Sequence, residues 1–233
     1  MKDFDVYGHA LMDYFIGNPD TFLTLHNSYG APEQMPVSVF FREEEDLTPL
    51  EKRALNCCKG KVLDIGAGVG PITRILQRTH YAVALELSED ACRIASFLGV
   101  KNIVHGDIRT YDEDRFDTLL MLMNGIGLAG KVSELEGFFN LLKKRLNPGG
   151  RIVLDSSDLS YLYAELKSNS SLGEISYQYE YQGRKSPWFN WLYVDQLTLQ
   201  KYASRAGFET KIIYEDENDQ YLAILEAIEP ASI

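Results

Sequence analysis

Cysteine is scarce: Cys57, Cys58 and Cys92 are the only three in 233 residues, two of them adjacent and none in a C-x-x-C pair. That usage supports neither a disulfide framework nor a zinc site, and it suits a reducing compartment. The four histidines are scattered, with no H-x-x-x-H or similar spacing, so no metal is expected. Basic residues are outnumbered, 23 Lys and Arg against 34 Asp and Glu, for a formal charge of -11. An acidic surface repels phosphate backbones, so nucleic acid is not an expected partner. The longest basic run, Lys143-Lys144-Arg145, falls near a predicted helix end, where cations complement the helix dipole. No apolar stretch approaches the roughly 18 residues of a membrane span. The opening Met1-Lys2-Asp3-Phe4-Asp5 lacks a basic region followed by an apolar block. The expectation is a cytoplasmic protein without a membrane partner. Internal repeats and low-complexity segments are also missing.

What is present is ordinary globular material. Hydrophobic residues make up 45% of the chain, enough for a sizeable core without staples. The first fifty residues read as a helical cover: Leu11, Tyr14 and Phe15 recur at helical spacing, and a second patterned stretch runs over 21–27. Thr48, Pro49 and Glu51 form the signature of a helix N-cap with proline in the first turn, starting a helix to about residue 58. From residue 61 strand and helix alternate. Strands are expected at 61–65, 82–86, 102–104, 116–121 and 151–154, and helices at 71–79, 88–98 and 132–146. This alternation predicts a parallel sheet covered on both faces. The last third differs. Tyr177, Tyr179 and Tyr181 alternate with polar residues, as do Phe189, Trp191 and Tyr193 with their neighbours, which predicts an antiparallel aromatic hairpin. A helix capped by Asp195 and two antiparallel strands, 209–214 and 221–227, follow.

The chemistry concentrates at Asp64-Ile65-Gly66-Ala67-Gly68-Val69-Gly70. A strand ends in an acid, glycines alternate, and a helix begins. Glycines let the backbone turn tightly and let a ligand touch main-chain atoms. The helix start offers unpaired N–H groups. The dinucleotide fingerprint would place glycine or alanine at 71, where Pro71 stands. Glu86 ends the next strand 22 residues after Asp64, where a carboxylate can accept both hydroxyls of a ribose. Asp107 follows the third strand 21 residues later, where it can accept from an adenine amino group. Each acid also has a plain structural role open to it: Asp64 can brace the turn, Glu86 can cap the next helix, and Asp107 can be a turn residue.

With these motifs the chain closely resembles class I S-adenosylmethionine-dependent methyltransferases over about residues 48–228. Asn147-Pro148-Gly149-Gly150 and Ala206-Gly207-Phe208 match that family's turns before its fifth and sixth strands. Phe40-Phe41-Arg42 and residues 121–130 resemble a bacterial small-molecule branch of it. The resemblance implies an α/β fold: a Rossmann-like, doubly wound seven-stranded sheet, mostly parallel with an antiparallel last strand. A helical N-terminal segment (1–50) and an aromatic hairpin insertion (156–194) would flank a methyltransferase domain at 51–228. It implies S-adenosyl-L-methionine as cofactor, S-adenosyl-L-homocysteine as product, and a small-molecule acceptor. Carried over by position, Asp64, Gly66, Ala67 and Gly68 meet the methionine part and ribose. Glu86 takes the ribose hydroxyls, Leu87 packs on adenine, Asp107 and Ile108 flank the adenine amino group, and Met123 and Asn124 lie near the sulfonium. Asn124 begins no Asn/Asp-Pro-Pro-aromatic motif, which speaks against amino methylation of a nucleobase.

The hairpin holds seven aromatics between Tyr177 and Tyr193, and three readings stand: a lid over the acceptor, packing onto the domain, or a dimer interface. Monomer and homodimer are both open. Acceptor-side candidates are Tyr29, Arg42, Asn124, Trp191 and Tyr193. Arg42 can pair with the cofactor carboxylate or with the acids beside it. Two rivals remain, a nicotinamide-dependent oxidoreductase and a cofactor-binding scaffold without catalysis. Calorimetry separates the first: the purified chain should take S-adenosylhomocysteine and ignore NAD, and the reverse outcome would reject the methyltransferase resemblance.

Overall fold

The computed structural model describes residues 5–160 and 173–228. Asp5 accepts a hydrogen bond from the Gly8 N–H at 2.8 Å and caps the first helix, α1 (Val6–Phe15). The chain then turns to strand: β1 (Phe22–Asn27) and β2 (Glu33–Pro36) pair antiparallel. The expected helical cover is therefore α-helical only in its first part, with two short 3₁₀ turns at Val37–Phe40 and Glu44–Asp46 after the strands. Phe22-Leu23-Thr24-Leu25 buries Leu23 and leaves Phe22 exposed, the one-in, one-out pattern of a strand. Thr48 caps α2 (Pro49–Cys57) through a capping box with Glu51, as the sequence predicts.

The alternating region follows. It runs β3 (Lys61–Ile65), α3 (Pro71–Leu76), β4 (Tyr81–Glu86), α4 (Glu89–Phe97), β5 (Ile103–His105) and β6 (Phe116–Met121). A 3₁₀ turn at Val132–Glu134 leads into α5 (Leu135–Lys143) and β7 (Leu146–Ser157). After β8 (Glu174–Tyr181), β9 (Arg184–Lys185) and β10 (Phe189–Leu192) come α6 (Gln196–Arg205), β11 (Phe208–Glu215) and β12 (Gln220–Ala227). The strand expected at 151–154 extends at both ends. The Pro148-Gly149-Gly150 stretch joins it through a shift in register against β6 between Phe116 and Thr118.

The main sheet has seven strands in the order β11-β12-β7-β6-β3-β4-β5. The five from β7 to β5 run parallel, and β12 lies antiparallel to both β7 and β11. This is the fold class expected from the sequence. One face packs Phe139, Leu142, Leu199 and Phe208 around α5 and α6, and the other packs Leu50, Ala54, Ile72 and Leu76 from α2 and α3. α1 lies on α4, with Val6, Ala10 and Leu11 against Ala91 and Ile94.

The hairpin forms as predicted, with Phe189 opposite Tyr177 and Trp191 opposite Ile175. It does not stand alone. β8 also pairs with β1, and a second sheet of order β10-β8-β1-β2 results, with β9 on β8. Residues 161–172 of the expected insertion lie outside the described residues. Among the described residues no helix is long and apolar enough to cross a membrane.

Gly70 ends the glycine bend at φ 77°, where an added Cβ would stand 2.6 Å from Val100 Cγ2. Gly70→Ala combines a left-handed residue with a collision and should cost roughly 1–3 kcal/mol. Thermal denaturation followed by circular dichroism should show a fall of several degrees, and an unchanged Tm would contradict this bend.

Candidate active site

From β3 the chain proceeds outward through β4 and β5 on one side and through β6 and β7 on the other. The strand order reverses there, and the carboxyl ends of β3 and β6 open a crevice. Gly66, Gly68 and Gly70 take left-handed φ values of 74°, 57° and 77°. The Gly66 and Ala67 N–H groups both donate to the Leu85 carbonyl, at 2.9 and 3.2 Å. Gly68 donates its N–H to Glu86 Oε2 at 2.8 Å, and Ser88 donates its N–H to Oε1 at 2.8 Å. Glu86 is therefore buried, fixed at both oxygens, and set directly against the glycine bend. Burial raises its pKa, against the opposing pull of those N–H donors.

Asp64 braces the turn, one of the two roles the sequence leaves open to it. Its Oδ2 accepts from the Thr73 hydroxyl at 2.6 Å, and it is buried beneath the bend. Leu87 is 66% exposed beside Glu86. The β5 end lies level with it: the Gly106 N–H donates to the Glu86 carbonyl at 2.9 Å. Asp107 Oδ1 accepts the Arg109 N–H at 2.9 Å, and Ile108 is buried behind it. The acids of β4 and β5 thus stand at neighbouring strand ends of the same crevice.

Across the crevice, Met123 and Asn124 follow β6 with φ values of 63° and 56°. Two successive non-glycine residues in this region are held against their preference. The restraint is Asp155, near the end of β7 and 1% exposed. It accepts the Gly125 N–H at 3.1 Å and Gln220 Nε2–H at 2.8 Å, while the Ser157 hydroxyl donates to Asn124 Oδ1 at 2.8 Å. Sequence reasoning missed Asp155 and Ser157. The signal was there: an acid ending an apolar strand, the pattern that singled out Glu86.

α1 and the second sheet reach the two loops from above. The Tyr7 hydroxyl lies 3.2 Å from where a Gly68 Cβ would stand, and the Trp191 indole lies 2.1 Å from where a Gly127 Cβ would stand. Tyr7 stacks on Tyr179, Tyr179 packs on Phe189, and Phe189 meets Trp191, with centroid separations of 5.8, 5.1 and 6.5 Å. Tyr177 joins the same group: its hydroxyl lies 3.3 Å from that of Tyr193, and its ring 6.4 Å from Tyr29. A continuous aromatic band therefore runs from the glycine bend to the loop after β6. Tyr29, Trp191 and Tyr193 belong to it. Arg42 does not. Both of its terminal nitrogens engage Glu51, at 2.9 and 2.7 Å, rather than the acids beside it. Tyr7 carried no recognisable sign in the sequence, because the approach of α1 to Gly68 is set by tertiary packing.

A crevice of this kind on this sheet defines a nucleotide-cofactor α/β protein. A family model described as a methyltransferase domain matches residues 63–154. A solved S-adenosylmethionine-dependent methyltransferase from Bacteroides fragilis, in complex with S-adenosyl-L-homocysteine, is 32% identical with a TM-score of 0.88. That match covers 97% of this chain and 95% of the other. The chain belongs to the S-adenosylmethionine-dependent methyltransferase family, and the nicotinamide alternative falls. Demethylmenaquinone methyltransferase of Tropheryma whipplei (strain Twist) is 31% identical over 103 residues, spanning 40% of each chain, so the match takes in about two fifths of that relative's length. The sugar N-methyltransferase KedS8 from Streptoalloteichus sp ATCC 53650 shares the fold, at 16% identity and a TM-score of 0.59, over 86% of this chain and 96% of the other.

Burial raises Asp64 and Asp155 each to about 6. Unfolded, both titrate near the ordinary value of about 3.9. Between those values the folded chain binds more protons than the unfolded one. These two groups therefore add stability as pH falls through that window and withdraw it as pH rises, by at most about 3 kcal/mol each. Asp155→Asn keeps an acceptor for the Gly125 N–H but removes one such titration. Urea unfolding at about pH 5 and about pH 7 should show a smaller acid-side gain for the variant than for the parent. Equal gains would place the Asp155 carboxyl in water.

Proposed function

We propose that the chain transfers the methyl group of S-adenosyl-L-methionine to a small-molecule acceptor held under the aromatic band. One observation carries this reading. The band bridges the two loops that border the crevice, from Gly68 to Gly127, above a buried carboxylate.

The residues fit the cofactor. Each Glu86 oxygen accepts one backbone N–H and keeps a lone pair, which suits the two hydroxyls of a ribose. Gly66 has only the tip of Leu128, at 3.7 Å, near its missing Cβ, so a ligand can approach the main chain there. In this assignment Gly66, Ala67, Gly68 and Glu86 hold the ribose and methionine part, with Asp64 bracing the bend from behind. Leu87, Asp107 and Ile108 hold the adenine. Met123 and Asn124 border the reacting centre, and Asn124, Tyr29, Trp191 and Tyr193 face the acceptor. The structure of the Bacteroides fragilis relative, in complex with S-adenosyl-L-homocysteine, supports the cofactor. The menaquinone-precursor relative supports a small acceptor.

The cofactor supplies a methyl group already activated on a sulfonium, so the protein's part is placement. Asp155 and Ser157 lock the Met123-Asn124 loop, which fixes the angle of approach. The aromatic rings exclude water and tolerate positive charge as it moves toward the acceptor. Three free thiols fit a reducing, cytoplasmic setting.

Glu86→Ala removes the ribose acceptor and frees the Gly68 N–H. S-adenosylhomocysteine affinity measured by calorimetry should fall by at least roughly tenfold. Undiminished affinity would refute this placement of the cofactor.

A further inference from the structure

The loop after β6 is gripped from two sides. On the acceptor side, Asp155 accepts its Gly125 N–H, and the Trp191 indole presses on Gly127. On the cofactor side the grip comes from one long side chain. Arg109, two residues beyond Asp107, donates from Nη2 to the Leu128 carbonyl at 2.6 Å. Its Nη1 lies 3.8 Å from Asp107 Oδ1, the same oxygen that accepts the Arg109 backbone N–H. β5 and β6 are not neighbours. β4 and β3 lie between them, and Glu86 and the glycine bend stand at the ends of those two strands. The Arg109 bond therefore links the two flanks of the crevice. It also fixes the place of Leu128, whose Cδ1 lies 3.7 Å from where a Gly66 Cβ would stand. The side chain of the held residue thus reaches the bend itself. A guanidinium that donates to a carbonyl is charge-assisted and directional. This one is half-exposed, so water competes for it when the crevice is open.

We propose that Arg109 is a positioning residue for the cofactor: by fastening Leu128 to the segment that carries Asp107, it closes the loop after β6 against the adenosyl group and slows that group's departure. This rests on the methyl-transfer reading above, which puts adenine at Leu87, Asp107 and Ile108 and the ribose at Glu86. A ligand held at Asp107 and Glu86 lies along the span that Arg109 joins. Its departure requires the loop to lift, and lifting breaks the Arg109 bond. In the free protein water loosens that bond. With a ligand in the crevice water is displaced, and the same bond strengthens in the drier surroundings. Losing it therefore acts on departure more than on arrival. The guanidinium takes no part in the transfer of the methyl group. It works through Leu128, which it holds, and through Asp107, which it lies beside.

The test uses the full chain on a surface plasmon resonance chip, with S-adenosylhomocysteine as the analyte, so that both rates are read. Arg109→Ala should speed dissociation by roughly tenfold, the scale of one charge-assisted hydrogen bond, and leave association within about twofold. Arg109→Lys keeps a cation able to donate to the Leu128 carbonyl and should recover part of the slow dissociation, which a general loosening of the fold would not allow. Leu128→Ala keeps the carbonyl that Arg109 holds but removes the side chain at Gly66, and it should also speed dissociation. If Arg109→Ala fails to fold, the lysine and Leu128 variants carry the same test. Three results overturn the positioning role while leaving methyl transfer standing. They are dissociation unchanged in Arg109→Ala or Leu128→Ala, both rates rising by one factor so that affinity is kept, and Arg109→Lys releasing the ligand no more slowly than Arg109→Ala. Failure of the parent chain to bind S-adenosylhomocysteine overturns the methyl-transfer reading and the positioning role with it.

Discussion

The hydrogen bond from the Gly68 N–H to the Glu86 carboxylate joins the two loops on which the site is built. One belongs to β3 and the other to β4, and the Gly66 and Ala67 N–H bonds to the Leu85 carbonyl hold the same junction from behind. The bond is charge-assisted and buried, so it is both strong and costly to break. It also settles the conformation of the bend, because only a left-handed residue at 68 turns that N–H toward the next strand. Asp64 completes the arrangement from below by holding Thr73 at the start of α3. Two buried acids thus serve one turn, and the protein keeps both despite the desolvation they suffer.

On the other side of the crevice the same device recurs with a different partner. Asp155 holds the loop after β6 as Glu86 holds the loop after β3. Each is an acid at the end of one strand that restrains the loop following its neighbour. The aromatic band then rests on both restrained loops, touching the first through Tyr7 and the second through Trp191. The roof inherits its precision from the floor. The seven aromatics of the hairpin, ambiguous in sequence, are oriented by this contact: Tyr177 is buried and Trp188, at the turn, is 55% exposed.

Much of this was legible in the sequence because it is local. Thr48 and Glu51 announce their capping box within four residues, and the period-two tyrosines announce their strand. Glu86 was legible because a carboxylate closing an apolar strand is costly to bury without a polar partner to meet, and Asp107 by its spacing beyond the next strand. What escaped depends on distant pairing. Thr24 of β1 meets Glu180 of β8 across more than half the chain, and no short window distinguishes such a strand from an amphipathic helix. Arg42 was misplaced for a related reason. The acids beside it, Glu43 to Asp46, are near in sequence, yet Glu51 wins because its carboxylate is already buried at the α2 cap and offers both oxygens. Asp155 obeyed the rule that found Glu86. It directly follows the strand expected at 151–154, and what the sequence did not show is that it would reach back to the Gly125 N–H of the loop after β6.

Ser88 shares its hydroxyl between two helices. It receives the Ala91 N–H that opens α4 and gives its proton to Asp5, which opens α1. Two helix beginnings, each a positive pole, therefore meet beside the Glu86 carboxylate and soften the repulsion between Asp5 and Glu86. The cap of α1 is consequently tied to the β4 end of the crevice. A change at Asp5 therefore reaches the Glu86 carboxylate through one serine, whose hydroxyl proton Asp5 accepts and whose N–H that carboxylate holds.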